Sequence, residues 1–166
     1  PNIINGYAAQ SAPASLVTFQ ENLLILAEAG FRANGFDTGL SHLNDFRAFM
    51  SSGGYLTNVN ASSILYDAYN IDDFTSGGIE NLDGISTDNA LLREILEERY
   101  ITLFGQIEVF NDTRRTENES IVRVPVTPNT GNVLPQRFIY PQSEIDRNSN
   151  TPNPIPNFFD KTTVNQ

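Results

Sequence analysis

Cysteine is absent from this chain, histidine occurs once, as His42, and lysine once, as Lys161. The first absence excludes disulfides, thiol catalysis and thiolate metal sites, yet leaves the compartment open, because exported chains also do without cysteine. A lone histidine excludes a histidine-rich metal site and a triad built on two histidines. With one lysine among ten basic residues, nearly all positive charge is guanidinium, the form suited to fixed, bidentate pairing with carboxylates. Long hydrophobic runs are missing too: none approaches the roughly 20 residues that a membrane-crossing helix needs.

Acidic residues number 20 against ten basic, a net charge of −10. Such a chain repels a phosphate backbone, so nucleic acid is not an expected partner. Its 166 residues suffice for one domain with a real core.

Hydrophobic spacing predicts a mostly α fold. In SLVTFQENLLILAEAGFRAN, residues 15 to 34, Leu16, Phe19, Leu23, Ala27 and Phe31 recur at helical intervals, with Pro13 and Ser15 at the expected start and Gly35 at the end. Ala27, Ala29, Gly30 and Ala33 leave one face nearly bare, so a second helix can approach closely. That helix is predicted over 37 to 51, capped by Asp37 or Thr38, with Leu40, Leu43, Phe46, Arg47 and Met50 on one side and Gly53 and Gly54 as the stop. A turn of two or three residues between them makes an antiparallel pair, close in size to the roughly 34-residue tetratricopeptide unit, although the consensus of that unit is missing.

Residues 52 to 87 read as a connector, with a short helix from about Ser62 to Tyr69 and turns at Gly77, Gly78 and Gly84. A second helix pair is predicted at about 88 to 116, one helix running from Thr87 or Asp88 toward Gly105 and the next from Gln106 to Arg115. The segment 117 to 166 changes character. Seven of the nine prolines lie in it, which predicts an extended, irregular tail, and IVRVPV at 121 to 126 is its one strand-like alternation. Phe138, Ile139, Tyr140, Ile145, Phe158 and Phe159 are expected to pack rather than face water.

Four ordered motifs, LAEAGFRANGF with LNDFRAF, then LLREILEERYITLFGQIEVFNDTRRT, then LPQRFIYPQSEIDRNSNTPNP, resemble the C-terminal portion of a SusD/RagB-like protein. Ala27, Glu28 and Ala29 match the family's AEA segment, and Leu43, Asn44 and Arg47 its LNxxR element. Ile95, Leu96, Glu98, Arg99, Gly105, Phe110, Asp112, Arg114 and Arg115 stand where its ILxERxxEL and following GxxxxDxRR elements would. Tyr140, Pro141, Gln142, Glu144, Ile145, Asp146 and Asn148 approximate the closing signature. Tyr100 and Thr102 depart from the pattern, and QIEVF replaces its aromatic-rich run, the mark of a divergent branch.

The resemblance covers roughly residues 15 to 155 and implies a portion of a longer lipoprotein. It implies a surface-exposed place at the bacterial outer membrane, reached through a lipid anchor outside this chain, and a TonB-dependent transporter as partner. The activity implied is noncatalytic capture of oligosaccharides or other nutrients, a glycan first among them, on a tetratricopeptide-like scaffold, with no cofactor. The alternative is a helical-repeat scaffold that binds protein and takes no sugar.

The resemblance transfers no ligand site. From the residues alone, Tyr55, Tyr66, Tyr69 and Asn70 are the candidates for touching a sugar, aromatic faces stacking on pyranose C–H groups and an amide fixing hydroxyls. Glu94 and Glu98, spaced i, i+4, could share a helix face as a catalytic pair. The stronger expectation is that Glu98, Arg99, Asp112, Arg114 and Arg115 form a structural ion-pair network tying two helices together. Asp72, Asp73, Asn81, Asp83 and Asp88 supply oxygen without calcium-loop spacing, and turns and caps explain them. No metal site is expected, and His42 is expected to make an ordinary hydrogen bond.

Overall fold

The structure is a computed structural model that describes residues 16–53, 66–129 and 131–163. Half of the described residues are helical, and no strand occurs among them. The chain divides into two compact units, Pro1–Thr102 and Leu103–Gln166.

In the first unit, α1 (Phe19–Asn34) begins where Thr18, in extended conformation, accepts the Glu21 N–H on its hydroxyl at 3.0 Å. Glu21 in its first turn and Arg32 in its last complement the helix dipole. The helix ends at Gly35, whose N–H returns to the Phe31 carbonyl at 2.8 Å. With φ 87° and ψ −168°, Gly35 occupies a region open essentially to glycine alone. The same residue caps α2 (Phe36–Ser52), so the turn expected to span two or three residues is a single one. Gly53, left-handed at φ 66°, closes α2.

Phe19 meets Phe49 edge-on at 4.8 Å, and Gly39 sits against Phe31, so the start of α1 lies beside the end of α2 and the pair forms a hairpin. The approach at Gly39 is close. A Cβ there would fall 2.7 Å from the Phe31 Cβ.

Helix α3 (Thr87–Thr102) packs on both α1 and α2. Leu24, Ala27, Leu43, Phe46, Ala90, Leu91 and Ile95 form the core with Phe74, which arrives from the connector on a 3-10 turn, Ile71–Phe74. Asn70 caps that turn by accepting the Asp72 N–H at 2.9 Å while Asp73 accepts the Asn70 N–H at 2.8 Å. Asn81, fully buried, donates to the Phe74 and Ile85 carbonyls, each at 2.8 Å. Residues 66 to 70 take no helical form, contrary to the expectation of a helix ending at Tyr69, whose earlier part lies outside the described residues. The cause is Asn44, which accepts the Tyr69 N–H at 2.8 Å and donates to the Tyr69 carbonyl at 2.9 Å, pairing with groups that a helix would use itself.

In the second unit, α4 (Ile107–Arg115) is followed by irregular chain and one short helix, α5 (Gln142–Arg147). Phe110 of α4 contacts Phe138 at 5.1 Å, and the Gln136 N–H donates to the Phe158 carbonyl at 3.1 Å. Arg137 donates to the Asp160 and Lys161 carbonyls. The alternation at 121 to 126 forms no strand. Val122 and Arg123 both turn their N–H groups back to the Glu119 carbonyl, only Val122 of the run is buried, and Pro125 has no donor to offer a ladder.

Candidate functional site

Along one side of α3, Arg93, Glu94 and Glu97 face the connector residues Ile79, Glu80, Leu82 and Asp83 across an open cleft of about 270 Å³. Helical spacing puts Arg93 and Glu97 on one strip, with Glu94 turned further inward and only 8% exposed. The connector is held opposite by a fork: Arg93 donates to both oxygens of Asp83, at 2.7 and 2.9 Å, and to the Glu80 carbonyl at 3.1 Å. That fork holds the Asp83 carboxyl below its usual range and raises the Arg93 guanidinium. Ile79 and Leu82 remain 68% and 82% exposed, giving the cleft an apolar rim.

The floor is polar. Tyr69 Oη lies 2.6 Å from Glu80 Oε1 and 3.0 Å from Glu94 Oε1. Burial, then the hydrogen bond to Glu80, then the Glu94 charge all raise the Tyr69 hydroxyl, which keeps its proton. Burial above all, then the charges of Glu80 and Glu98, push the Glu94 carboxyl up to about 8. Burial raises Glu97 and Glu98 as well, the latter against the opposing pull of Arg47.

Arg47 of α2 joins this floor to the core. Its Nη1 contacts Glu98 Oε1 at 3.1 Å, its Nε donates to the Asp67 carbonyl at 2.5 Å, and its guanidinium lies 3.7 Å from the Tyr69 ring centre and 5.3 Å from that of Tyr66. Asn44 and Arg47, three residues apart on α2, thus grip the backbone of one segment.

Of the residues expected to touch a sugar, Tyr55 lies outside the described residues. Tyr66 packs edge-on to Phe46 at 6.2 Å. Tyr69 reaches the site, but its ring lies against Arg47 and Phe74, so it offers a hydroxyl rather than a stacking face. The Asn70 amide oxygen is engaged as the cap of the 3-10 turn.

Glu94 and Glu98 do not share one partner: Glu94 meets Tyr69, whereas Glu98 pairs with Arg47. Arg99 lies 3.9 Å from Glu28 of α1. In the second unit Arg115 pairs with Asp112 at 2.7 Å, and Arg114 stacks on Phe110 and reaches Thr162 at 3.3 Å. His42 lies 3.3 Å from Asp45 at the surface. Among the described residues, no group of three or more His, Asp or Glu is placed to hold a metal ion.

Nothing in the sequence singles out Glu80 or Arg93, since no period marks a carboxylate 14 residues before its neighbour Glu94. No described protein family, curated protein or solved structure matches this chain. What the cleft does must therefore come from its own chemistry.

Proposed function

We propose that this chain is part of a noncatalytic capture protein of the SusD/RagB type, binding a neutral oligosaccharide at the cleft between α3 and the connector. The observation that carries it is the cleft itself: fixed carboxylates to accept sugar hydroxyls, one guanidinium held in a fork to donate, and the exposed apolar rim of Ile79 and Leu82. Its acidic lining repels uronates and sulfated sugars.

In this reading α1 with α2 is a tetratricopeptide-like pair, and the proline-rich segment of the second unit is the irregular part of the scaffold. The motif residues Asn44, Arg47 and Glu98 shape the site without touching ligand. Capture takes place at the outer-membrane surface, the protein anchored by lipid outside this chain and delivering its ligand to a TonB-dependent transporter.

Calorimetry against neutral hexasaccharides (maltohexaose, cellohexaose, xylohexaose) and acidic ones (oligogalacturonate, oligoalginate), with product analysis, tests this. Binding of a neutral member without cleavage is expected, and binding restricted to acidic members, or turnover, overturns it. Should nothing bind, the exposed Phe19, Ile25 and Leu26 on α1 favour the helical-repeat scaffold that docks protein.

A further inference from the structure

Three oxygens stand in a row at the cleft floor, and their hydrogens can be counted. A phenol has one hydrogen, and an ionised carboxylate only accepts. Yet Tyr69 Oη is within hydrogen-bond distance of both Glu80 Oε1 and Glu94 Oε1. The shorter contact, 2.6 Å, has the length of an O–H to a carboxylate anion, so Tyr69 gives its hydrogen to Glu80. The 3.0 Å contact is then made a full hydrogen bond by a second hydrogen on Glu94, donated to the Tyr69 oxygen.

We infer that Glu94 is a carboxylic acid in the ligand-ready cleft, and that its deprotonation releases Tyr69 and Glu80 from α3 and switches capture off. The capture half of this inference rests on the reading of the cleft as a ligand site. The proton half does not.

Among the described residues, the charges around Glu94 leave it no cation. Arg93 is committed to Asp83, and Arg47, from α2, is committed to Glu98 and the Asp67 carbonyl. From α1, Glu28 comes near α3 at Arg99 and also accepts from Arg32 at 2.9 Å. The neighbours that do bear on Glu94 are acidic: Glu80 from the connector, and Glu97 and Glu98 from its own helix. Removing its proton therefore places a charge in a buried spot facing other carboxylates, with a phenol that can satisfy one of them but not two. Ionisation centred near pH 8 puts the switch inside the range a surface protein meets.

The test is a carbon-13 titration of the glutamate side-chain carboxyls in the whole chain, with Glu94 assigned through its own side-chain couplings. Glu94 is expected to titrate near pH 8, well above an ordinary carboxylate, and the Tyr69 ring signals are expected to shift with the same midpoint. A Glu94 midpoint between about 4 and 5, or Tyr69 signals indifferent to it, overturns the switch.

The second arm measures affinity for whichever neutral hexasaccharide binds at pH 7. Affinity should fall about tenfold by pH 9, as the protonated fraction falls from about 0.9 to 0.1. In Glu94→Gln, whose amide donates at every pH, affinity should change less than about twofold over that range, whatever its absolute value. An unchanged wild-type affinity at pH 9 overturns the gating. Absence of binding at every pH sinks the capture reading, while the titration still decides the proton count.

Discussion

Replacing Arg47 by alanine removes the residue that joins the cleft floor to the core, and its cost follows from what is left behind. The Arg47 side chain is 12% exposed and that of Glu98 8%, so Arg47→Ala strands a carboxylate in a place where water barely reaches it. Breaking one side of such a pair costs roughly 3 to 5 kcal/mol. Loss of the stacking on Tyr69 adds about 1 kcal/mol. Urea unfolding at pH 7 should show the midpoint falling by on the order of 2 M, at a slope of about 2 kcal/mol per M.

Two further results are required if the charge is the cause. Burial already raises the Glu98 carboxyl, so at pH 4.5 a stranded Glu98 takes up a proton and the deficit shrinks. Adding Glu98→Gln to Arg47→Ala should recover stability at pH 7, because the stranded group is then neutral, and the cycle should give a coupling of at least about 1.5 kcal/mol. A deficit below about 1 kcal/mol at pH 7, the value of an exposed pair, would refute the reasoning. So would a deficit that does not change with pH.

Gly39→Ala forces a Cβ to within 2.7 Å of the Phe31 Cβ and 3.1 Å of its Cα, so α1 and α2 must part, at a cost of roughly 1 to 3 kcal/mol in denaturant melts; an unchanged midpoint would mean the helices are not so close. Asn81→Ala leaves the Phe74 and Ile85 carbonyls without their donor and should cost roughly 2 to 4 kcal/mol, with the amides of Ile71–Phe74 exchanging faster; uniform exchange across the unit counts against a local anchor. The Glu94 carboxyl stands at about 8 in the folded chain against 4.5 unfolded, so the folded state keeps a proton that the unfolded state gives up. Its contribution is fully present below pH 4.5 and is lost as pH rises through about 8, at up to about 1.4 kcal/mol per pH unit, Glu97 and Glu98 acting in the same direction. Glu94→Gln should flatten that slope in melts from pH 5 to 9, and stability rising over this window in the wild type would reverse the sign and sink the assignment.

Helices α1, α2 and α3 were legible because each carries its apolar residues at three- and four-residue spacing and stops at a turn-forming residue, Gly35 and Gly53 being the plainest. The form of residues 66 to 70 was not legible, since it is imposed from outside: Asn44 takes the Tyr69 backbone groups that helical propensity would have used. IVRVPV is the opposite case, a local period with no partner strand among the described residues to pair with. At the site, Tyr69 could be nominated as an aromatic near amides, but its useful end is fixed by Glu80 and Glu94, which sit 11 and 25 residues further along. Pairings of that span leave no mark in a window of helical length, and the grip of Asn44 and Arg47 showed only as a motif without a visible partner.

Gly35 ends one helix and starts the next, and this fixes an order of assembly. Closing a loop costs entropy that grows with its length, and across a single residue the cost is about as small as it gets. The Leu24, Ala27, Leu43 and Phe46 surfaces can meet long before α3, some fifty residues later, completes their burial. Substitutions at Leu24 or Leu43 should therefore slow folding, and those at Ile95 should mainly speed unfolding; the reverse pattern would rule this order out. The connector, with Tyr69 and Glu80, then docks onto a hairpin already in place, so the cleft is among the last features to form and among the first to open.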